Sequence, residues 1–442
     1  MAMENKPYPK ILIIGQPFNK KSGGGITISN LFEGWPKDRI AVASNLNLYS
    51  DLDTSVCEKL YQLGYNGKLH PFPINIFLHK IKIGNLVFEN NDNKKVTGGG
   101  GAEAGKFKKI YKHLSSVLRF LGLFNFLYKL KITPDFEKWV TDYNPDIIYT
   151  QLSTLEYIRF VAEMQTRFGK PVAIHIMDDW PTSINKPSLL YSYYKYTIDK
   201  EFRELIDRAP ILMSICQAMS DEYQLRYNKH FVPFHNPIAI NKWLPFSKAE
   251  WDINGVFKVL YTGRIGKANG KSILFFACII NTMNLECKNI ELDIYTPDGD
   301  TKEASTINKM KGVNIKNTVP HERMPALLSS YDLLFLPLDF DREGIRFAQF
   351  SMPTKASEYM ISGTPILVYA DKRTALAKYA ASDKWAYTVT ENNKMVLTNA
   401  LNELYSNLSL RKKLAETARE IVIRNEDAVV IKEKFRKNFV IS

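Results

Sequence analysis

Short apolar runs alternate along the chain with longer segments whose apolar residues recur at helical spacing. The runs occupy residues 10–15, 146–149, 171–175 and 211–215 in the first half, and 257–261, 290–295, 313–315, 333–337 and 366–369 in the second. Runs such as residues 11–14 and 333–337 contain no polar residue, which is typical of strands buried on both faces, as in parallel sheets, whereas residues 290–295 alternate. Because helical segments separate them, the pattern predicts an α/β protein with two parallel sheets.

The length of the chain indicates two domains. It has 442 residues, whereas a single hydrophobic core rarely grows beyond about 250 to 300 residues. Asn236-Pro237 favours an extended or turn geometry that ends the first half. We therefore predict domains at 1–240 and 241–442, the second closing with amphipathic helices from about Met395.

Composition indicates an ordinary globular protein with a strongly basic balance. Hydrophobic residues make up 45% and charged residues 24%, and the formal net charge is +13. Such a charge favours anionic lipid, nucleic acid or phosphorylated substrates as partners. No recognisable nucleic-acid module accompanies it, so we expect no nucleic-acid partner.

Cysteine usage and hydropathy favour a cytoplasmic location. The four cysteines show no CxxC spacing, which is typical of reduced residues. No apolar run reaches the roughly 18 to 20 residues that a membrane span needs, and the N-terminus does not resemble a signal peptide. Attachment to the inner face of the membrane stays open.

The hypothesis of membrane attachment rests on an insertion near residues 69–133. A glycine-rich stretch at 90–105 reads as a loop, and residues 107–132 then combine helical apolar spacing with several lysines and aromatic rings. A basic amphipathic helix of this kind is typical of a membrane interface. An ordinary core-facing helix with a solvated basic edge explains the pattern equally well.

Residues 350–369 predict a loop, a short helix and a buried strand. Pro353-Thr354-Lys355 opens the helix, which ends at Gly363. Free N–H groups between Ser351 and Lys355 suit a phosphate, and the Glu358 carboxylate can accept hydrogen bonds from both hydroxyls of a ribose. A solvated Glu on a surface helix is the alternative.

A glycine loop follows the first strand. Ser22 and three glycines, including Gly24 and Gly25, precede a helix predicted from about Ile26 to Phe32. Such a loop brings backbone close to a ligand, although a flexible turn would have the same composition. The order differs from GxGxxG, which disfavours a dinucleotide.

Polar residues also follow the strand at 171–175. His175, Asp178 and Asp179 lie within five positions, as a general base or a metal site would require, but a single loop without a distant fourth ligand is a weak metal signal. A structural His is an equal alternative. As a hypothesis, we assign Asp178 and Asp179 to contact with a second substrate, called the acceptor below. We expect no metal.

The motif at 353–368 resembles the nucleotide-sugar site of GT-B glycosyltransferases, closest to the retaining family 4. The shared residues are Pro353, Lys355, Glu358, Tyr359, Gly363, Thr364, Pro365, Ile366, Leu367 and Val368. The resemblance implies two doubly wound Rossmann-like domains facing a central cleft, the first binding the acceptor and the second the nucleotide sugar, with the last helix crossing back to the first domain. In that family a second acidic residue precedes Glu358 by eight positions, where this chain has Phe350.

The resemblance also assigns site residues. It implies that Arg264 and Lys271 stabilise the diphosphate leaving group and that His175 lies near the donor sugar. Charged residues in the loop 339–349 would replace the contacts that Phe350 cannot make. The implied donor-binding residues are Gly24, Gly25, Arg264, Lys271, Val319, Pro320, Ser351, Pro353, Thr354, Lys355 and Glu358.

The activity that the resemblance implies is transfer of a sugar from a nucleotide-diphosphate sugar to a hydroxyl of a glycan or lipid-linked acceptor. It implies retention of anomeric configuration, no metal and no cofactor, and a role in cell-surface polysaccharide synthesis. A nucleotide-sugar epimerase on the same fold and a non-catalytic glycosyltransferase-like subunit remain alternatives, the latter because of Phe350.

Overall fold

The computed structural model divides into two compact units. The first comprises residues 1–234 and 432–442, and the second residues 235–431, where the sequence places the boundary at 240/241. The structure describes residues 8–19, 23–46, 48, 53, 55–64, 83–86, 113, 115–118, 120–123, 129–183 and 188–440. The glycine-rich stretch at 90–105 and much of the helix predicted at 107–132 lie outside these residues.

The first unit is built on an eight-stranded sheet in the order β4-β3-β2-β1-β5-β6-β7-β8. Its strands are β1 Ile11–Ile14, β2 Ile40–Ser44, β3 Lys59–Gln62, β4 Gly84–Leu86, β5 Ile147–Thr150, β6 Val172–Ile176, β7 Ile211–Ser214 and β8 Val232–Pro233. Only the β3–β4 pair is antiparallel. The central strand β1 is fully buried, with Ile11 opposite both Ile40 and Ile147.

The helices of the first unit pack around this sheet. They are α1 Gly23–Leu31, α2 Pro134–Tyr143, α3 Leu155–Phe168, α4 Trp180–Ser183, α5 Tyr191–Arg208 and α6 Gln217–Tyr227, with a 3-10 turn at Lys37–Arg39. Helix α1 begins at Gly23, so the glycines form its first turn, and the prediction of a loop before Ile26 is wrong. The final residues of the chain belong to this core, since the rings of Phe435 and Phe32 are 5.1 Å apart.

The second unit has a six-stranded sheet in the order β11-β10-β9-β12-β13-β14. Its strands are β9 Phe257–Thr262, β10 Ile290–Tyr295, β11 Val313–Lys316, β12 Leu333–Pro337, β13 Ile366–Tyr369 and β14 Tyr387–Val389. All their pairings are parallel. The predicted α/β class with two parallel sheets is therefore confirmed.

Helices precede, separate and follow these strands in sequence, and the last of them continues into the first unit from residue 432. They are α7 Ile240–Trp243, α8 Gly270–Leu285, α9 Lys302–Ile307, α10 Met324–Ser329, α11 Arg342–Ala348, α12 Lys355–Ile361, α13 Ala375–Asp383, α14 Lys394–Ser406, α15 Leu408–Asn425 and α16 Ala428–Asn438, with 3-10 turns at Leu244–Phe246 and His321–Arg323. The loop predicted at 339–349 contains α11, because the Asp341 carboxylate caps it by accepting from Gly344 N at 3.1 Å.

The parallel arrangement determines where a ligand can bind in the second unit. The carboxyl ends of β9, β10, β11, β12 and β13 meet at one edge of the sheet, so the loops that follow them are neighbours. Across the part of the chain that the structure describes, no helix has both the length and the apolar character of a membrane span.

Candidate functional site

Helix α12 carries the central side chains of the candidate site. Thr354 is its N-cap residue, and Gly363, with φ +72°, follows its last turn. Lys355, Glu358 and Tyr359 lie three and four positions apart and therefore share one face. The Tyr359 hydroxyl accepts a hydrogen bond from Thr262 N at 2.9 Å. This face is therefore directed at the end of strand β9.

Lys355 is fixed at the same strand end. Its Nζ donates to the carbonyl oxygen of Thr262 at 2.5 Å and lies 4.2 Å from the centre of the Tyr261 ring. A Cβ at position 263 would lie 2.6 Å from this Nζ, and Gly263 has φ +122°, so glycine is required there. Burial lowers the pKa of Lys355 to about 8, against the opposing effect of Glu358.

Glu358 is buried without a neutralising partner of its own. Its exposed fraction is 7%, which excludes the solvated surface Glu considered from the sequence. Burial raises the pKa of its carboxyl group to about 7, and the nearby charge of Lys355 opposes that shift. Among the described residues, none hydrogen-bonds to the carboxylate oxygens. Its acceptor capacity is thus available to a ligand hydroxyl.

Arg264 follows Gly263 at the same sheet edge. Its side chain is 76% exposed, and Nη2 lies 3.3 Å from Oδ1 of Asp298, just after β10. The other oxygen of Asp298 accepts from Ile265 N at 3.1 Å. An exposed guanidinium held by one carboxylate can exchange that partner for a phosphate at little cost.

Lys271 is differently placed. Its Nζ forms a 2.6 Å ion pair with Asp341, and the side chain is 74% exposed. At the start of α8, the backbone N–H groups of Lys271 and Ser272 donate to the buried Asp339 carboxylate at 3.3 and 2.7 Å. The N-terminus of α8 is therefore satisfied by a carboxylate of the chain itself.

The remaining predicted donor-binding residues of this unit lie near the same strand ends. Val319 and Pro320 follow the edge strand β11 and are half-buried and exposed, respectively. Ser351, Pro353 and Thr354 are half-buried at the start of α12, and Phe350 lies half-buried between α11 and α12. Their proximity to this edge follows from the parallel topology, and their roles stay predictions.

Gly24 and Gly25 lie in the other unit, in the first turn of α1. A Cβ on Gly25 would lie 2.2 Å from Asn19 Nδ2, and one on Gly24 would lie 3.2 Å from Gln151 Oε1. Close packing of neighbouring side chains is thus one reason for glycine at both positions.

His175 lies within strand β6 and not in the loop after it. The side chain is fully buried, and Nδ1 is hydrogen-bonded to the Tyr149 hydroxyl at 2.8 Å. Burial lowers the pKa of the imidazole to about 4. Phe234 and Phe435 pack around it, with ring centres 6.5 and 6.4 Å away. This environment corresponds to the structural His considered from the sequence, and the role of His175 near a donor sugar stays a prediction.

The two aspartates after β6 differ in environment. Asp178 is exposed, whereas Asp179 is 4% exposed and accepts two hydrogen bonds from the Arg226 guanidinium at 2.8 and 3.2 Å. The Tyr223 hydroxyl donates to the same carboxylate at 3.0 Å. Asp179 therefore connects the loop after β6 to helix α6, an arrangement that argues against the predicted acceptor-side role.

Sequence reasoning missed three acidic residues at this edge, two of which pair with basic side chains. Asp298 pairs with Arg264, Asp341 pairs with Lys271, and Asp339 caps α8. The available signal was their position, since Asp298 and Asp339 each directly follow a predicted buried strand.

Comparison with known proteins finds a family model that matches part of the second unit. Residues 256–407 match the family model of glycosyl transferases group 1, so the predicted resemblance to GT-B glycosyltransferases is confirmed over that region. No curated protein matches the chain.

Solved structures extend the comparison to the whole chain. HepE from Anabaena in complex with UDP and glucose is 14% identical with a TM-score of 0.57, over 97% of this chain and 99% of that one. Sucrose-phosphate synthase from Thermosynechococcus elongatus is 12% identical with a TM-score of 0.60, over 97% of each chain. A glycosyltransferase from Rickettsia africae is 13% identical with a TM-score of 0.57, over 99% of this chain and 100% of that one. The chain has the GT-B fold.

We predict that Asp179 stabilises the fold and does not bind substrate. Asp179→Ala removes two hydrogen bonds from the Arg226 guanidinium, which keeps its ion pair with Glu222, and one from the Tyr223 hydroxyl. The free energy of unfolding should therefore fall by on the order of 3 kcal/mol. Urea denaturation measures it. The control is the exposed neighbour, where Asp178→Ala should change stability by less than about 0.5 kcal/mol. Equal stability of the two variants would contradict the assignment.

Proposed function

Proceeding from the match of residues 256–407 to glycosyl transferases group 1 and from the GT-B fold, we propose that this protein transfers a sugar from a nucleotide-diphosphate sugar to a hydroxyl acceptor. The observation that carries the proposal is the pair on one face of α12. Glu358, a buried acceptor with unused hydrogen-bonding capacity, lies one helical turn from Lys355, a cation held at the end of β9. A ribose diol and a diphosphate require this combination.

The chemistry needs stabilisation of the leaving group. The bond between the anomeric carbon and the β-phosphate oxygen breaks, and negative charge develops on the nucleoside diphosphate. The acceptor oxygen bonds to that carbon and passes its proton to the departing β-phosphate oxygen. Fixed cations stabilise this charge without reorganisation. We propose Lys355 and Arg264 for this role, with retention of configuration and no metal or cofactor.

The geometry favours Lys355 over Lys271 as the second cation. Lys271 is exposed and already paired with Asp341. Lys355 is held by a neutral carbonyl oxygen, and burial lowers the pKa of its ammonium group. A diphosphate would compensate the desolvated charge of Lys355, whereas it would have to replace an existing ion pair at Lys271.

Neighbouring structures indicate which donor base to test first. HepE is described in complexes with UDP and with UDP-glucose. We therefore propose a UDP-hexose as the first donor to test. The acceptor proposed is a glycan or lipid-linked sugar of cell-surface polysaccharide synthesis, at the cytoplasmic face of the membrane.

An exposed apolar patch in the first unit supports the membrane part of this proposal. Leu189 N donates to Phe120 O at 2.9 Å, which joins two exposed segments. We define the apolar patch as Val117, Phe120, Leu121, Leu123, Leu189, Tyr193 and Tyr196, all of them exposed. With exposed Lys195 beside it and a net charge of +13, the patch has the chemistry of an anionic lipid surface contact.

We expect Glu358→Ala to raise the Kd for UDP. Loss of two charge-assisted hydrogen bonds to the ribose corresponds to about 1 to 3 kcal/mol, and isothermal titration calorimetry measures it. Glu391→Ala, at an exposed position, is the matched control and should leave the Kd unchanged. A thermal-shift panel with UDP, GDP, ADP and CMP first identifies the base.

The pH dependence provides an internal check on Glu358. Binding requires the ionised carboxylate, and burial raises its pKa to about 7. Affinity for UDP should therefore rise with pH through 7, and Glu358→Gln should lose the contribution that this carboxyl group makes to the rise.

Transfer of labelled sugar, with EDTA present, tests the reaction itself. Epimerised donor without acceptor would favour the epimerase, and binding without turnover the non-catalytic subunit.

A matched pair of lysine variants separates the two candidate cations. We expect Lys355→Met to raise the Kd for UDP at least tenfold, or about 1.4 kcal/mol, because a charge-assisted contact to phosphate is lost. Lys271→Met removes only an exposed ion pair and should change the Kd by less than about threefold. The reverse order of effects would return the role to Lys271.

The apolar patch should bind anionic vesicles. We expect wild-type protein to cosediment with phosphatidylcholine vesicles containing phosphatidylglycerol, and the Leu189→Ser/Tyr196→Ser variant to lose most of this binding. Leu225→Ser, at a position that is 84% exposed, controls for loss of any exposed leucine. Undiminished binding by the double variant would exclude the patch as the contact.

A further inference from the structure

Helix α12 has a second face that carries neither Lys355 nor Glu358. Thr354 and Ser357 lie three positions apart and share this face. Ser357 is 1% exposed although it precedes Glu358 directly. A buried hydroxyl in a helix needs a hydrogen-bond partner, and residues 235–251 of the same unit supply it.

This segment contacts α12 along its length. At the start, Asn236 Nδ2 donates to Thr354 O at 3.4 Å, and in the middle His235 Nδ1 lies 2.9 Å from Ser357 Oγ. After the last turn, Lys248 N donates to Ser362 O at 2.8 Å. The Trp251 indole N–H donates to the carbonyl oxygen of Gly363 at 2.9 Å.

The middle contact differs in kind from the other three. Those involve backbone carbonyl oxygens of the residues that flank α12, and they fix where the helix lies. The His235 contact is made to a side chain one residue from Glu358, about 100° around the helix axis. A partner at that position resists rotation of the helix about its axis, and this rotation determines where the Glu358 carboxylate is directed.

We infer that His235 is a positioning residue, whose hydrogen bond to Ser357 fixes the rotation of α12 that directs Glu358 toward the ribose of a bound nucleotide. The inference rests on the proposed function and deepens it. His235 touches no reacting atom in this assignment; it acts through Ser357 and the helix.

The surroundings of His235 suit a fixed neutral contact. Its side chain is 9% exposed, and burial lowers the pKa of the imidazole to about 4. The acidic group beside it is Glu426, whose Oε2 lies 3.9 Å from Nδ1 and whose pKa burial raises to about 8. A neutral imidazole can either donate to or accept from the Ser357 hydroxyl.

Three variants and two ligands test the inference. His235→Leu and Ser357→Ala each remove the hydrogen bond, whereas His235→Asn keeps a polar atom near the position of Nδ1. The probes are UDP and 2′,3′-dideoxy-UDP, titrated by calorimetry, with the corresponding guanosine or adenosine pair if the thermal-shift panel selects that base.

We expect the two disrupting variants to raise the Kd for UDP about fivefold to tenfold, in line with one hydrogen bond. The Kd for 2′,3′-dideoxy-UDP should stay within about twofold, because that ligand lacks the diol that Glu358 binds. His235→Asn should recover most of the UDP affinity. A fourth variant, which combines His235→Leu with Ser357→Ala, should have the same Kd as either single variant.

Three results would overturn the inference. An equal rise in Kd for both ligands would mean that His235 only stabilises the unit. A lower melting temperature of the His235→Leu variant, with an unchanged preference for UDP over 2′,3′-dideoxy-UDP, would mean the same. An unchanged Kd for UDP in Ser357→Ala, a small substitution that keeps the helix, would overturn it even if His235→Leu fails to fold. If Glu358→Ala itself leaves UDP binding unchanged, the ribose assignment of the proposed function fails as well.

Discussion

The candidate site depends on the attachment of helix α12 to the end of strand β9. Thr262 provides both sides of that attachment, since its N–H donates to the Tyr359 hydroxyl and its carbonyl oxygen accepts from Lys355. Because the strand pairs with β10 on one side and with β12 on the other, its end is held within the sheet. Side chains fixed to it can be buried and charged while keeping a defined direction.

Burial then gives these side chains their chemical character. Desolvation raises the pKa of Glu358 and lowers that of Lys355, and each charge partly opposes the other's shift. The site therefore holds a cation and an acid that are both poorly solvated. A nucleoside diphosphate would supply a hydroxyl pair for one and an anion for the other, so the cost of burial would be recovered on binding.

The basic residues at the same edge of the sheet have two kinds of hydrogen-bond partner. Arg264 and Lys271 are exposed and form surface ion pairs with Asp298 and Asp341. Lys355 is half-buried and held by a carbonyl oxygen. Spacing along the chain could not separate these cases, since the acids that pair with Arg264 and Lys271 come from loops 34 and 70 residues away.

The sequence by itself determined the parts of this protein that follow from local pattern. Uninterrupted apolar runs predicted the buried parallel strands, and Pro353, Lys355 and Gly363 predicted the start and end of α12. Burial of both sheet faces imposes the first pattern, and backbone geometry at helix ends imposes the second.

The environment of each polar side chain follows from tertiary contacts and not from local pattern. His175 and Asp179 have the residue types of an active site, yet one is enclosed by aromatic rings and the other holds Arg226. Those partners lie far away in sequence, so hydrogen bonding and desolvation at these positions depend on contacts that no local pattern contains.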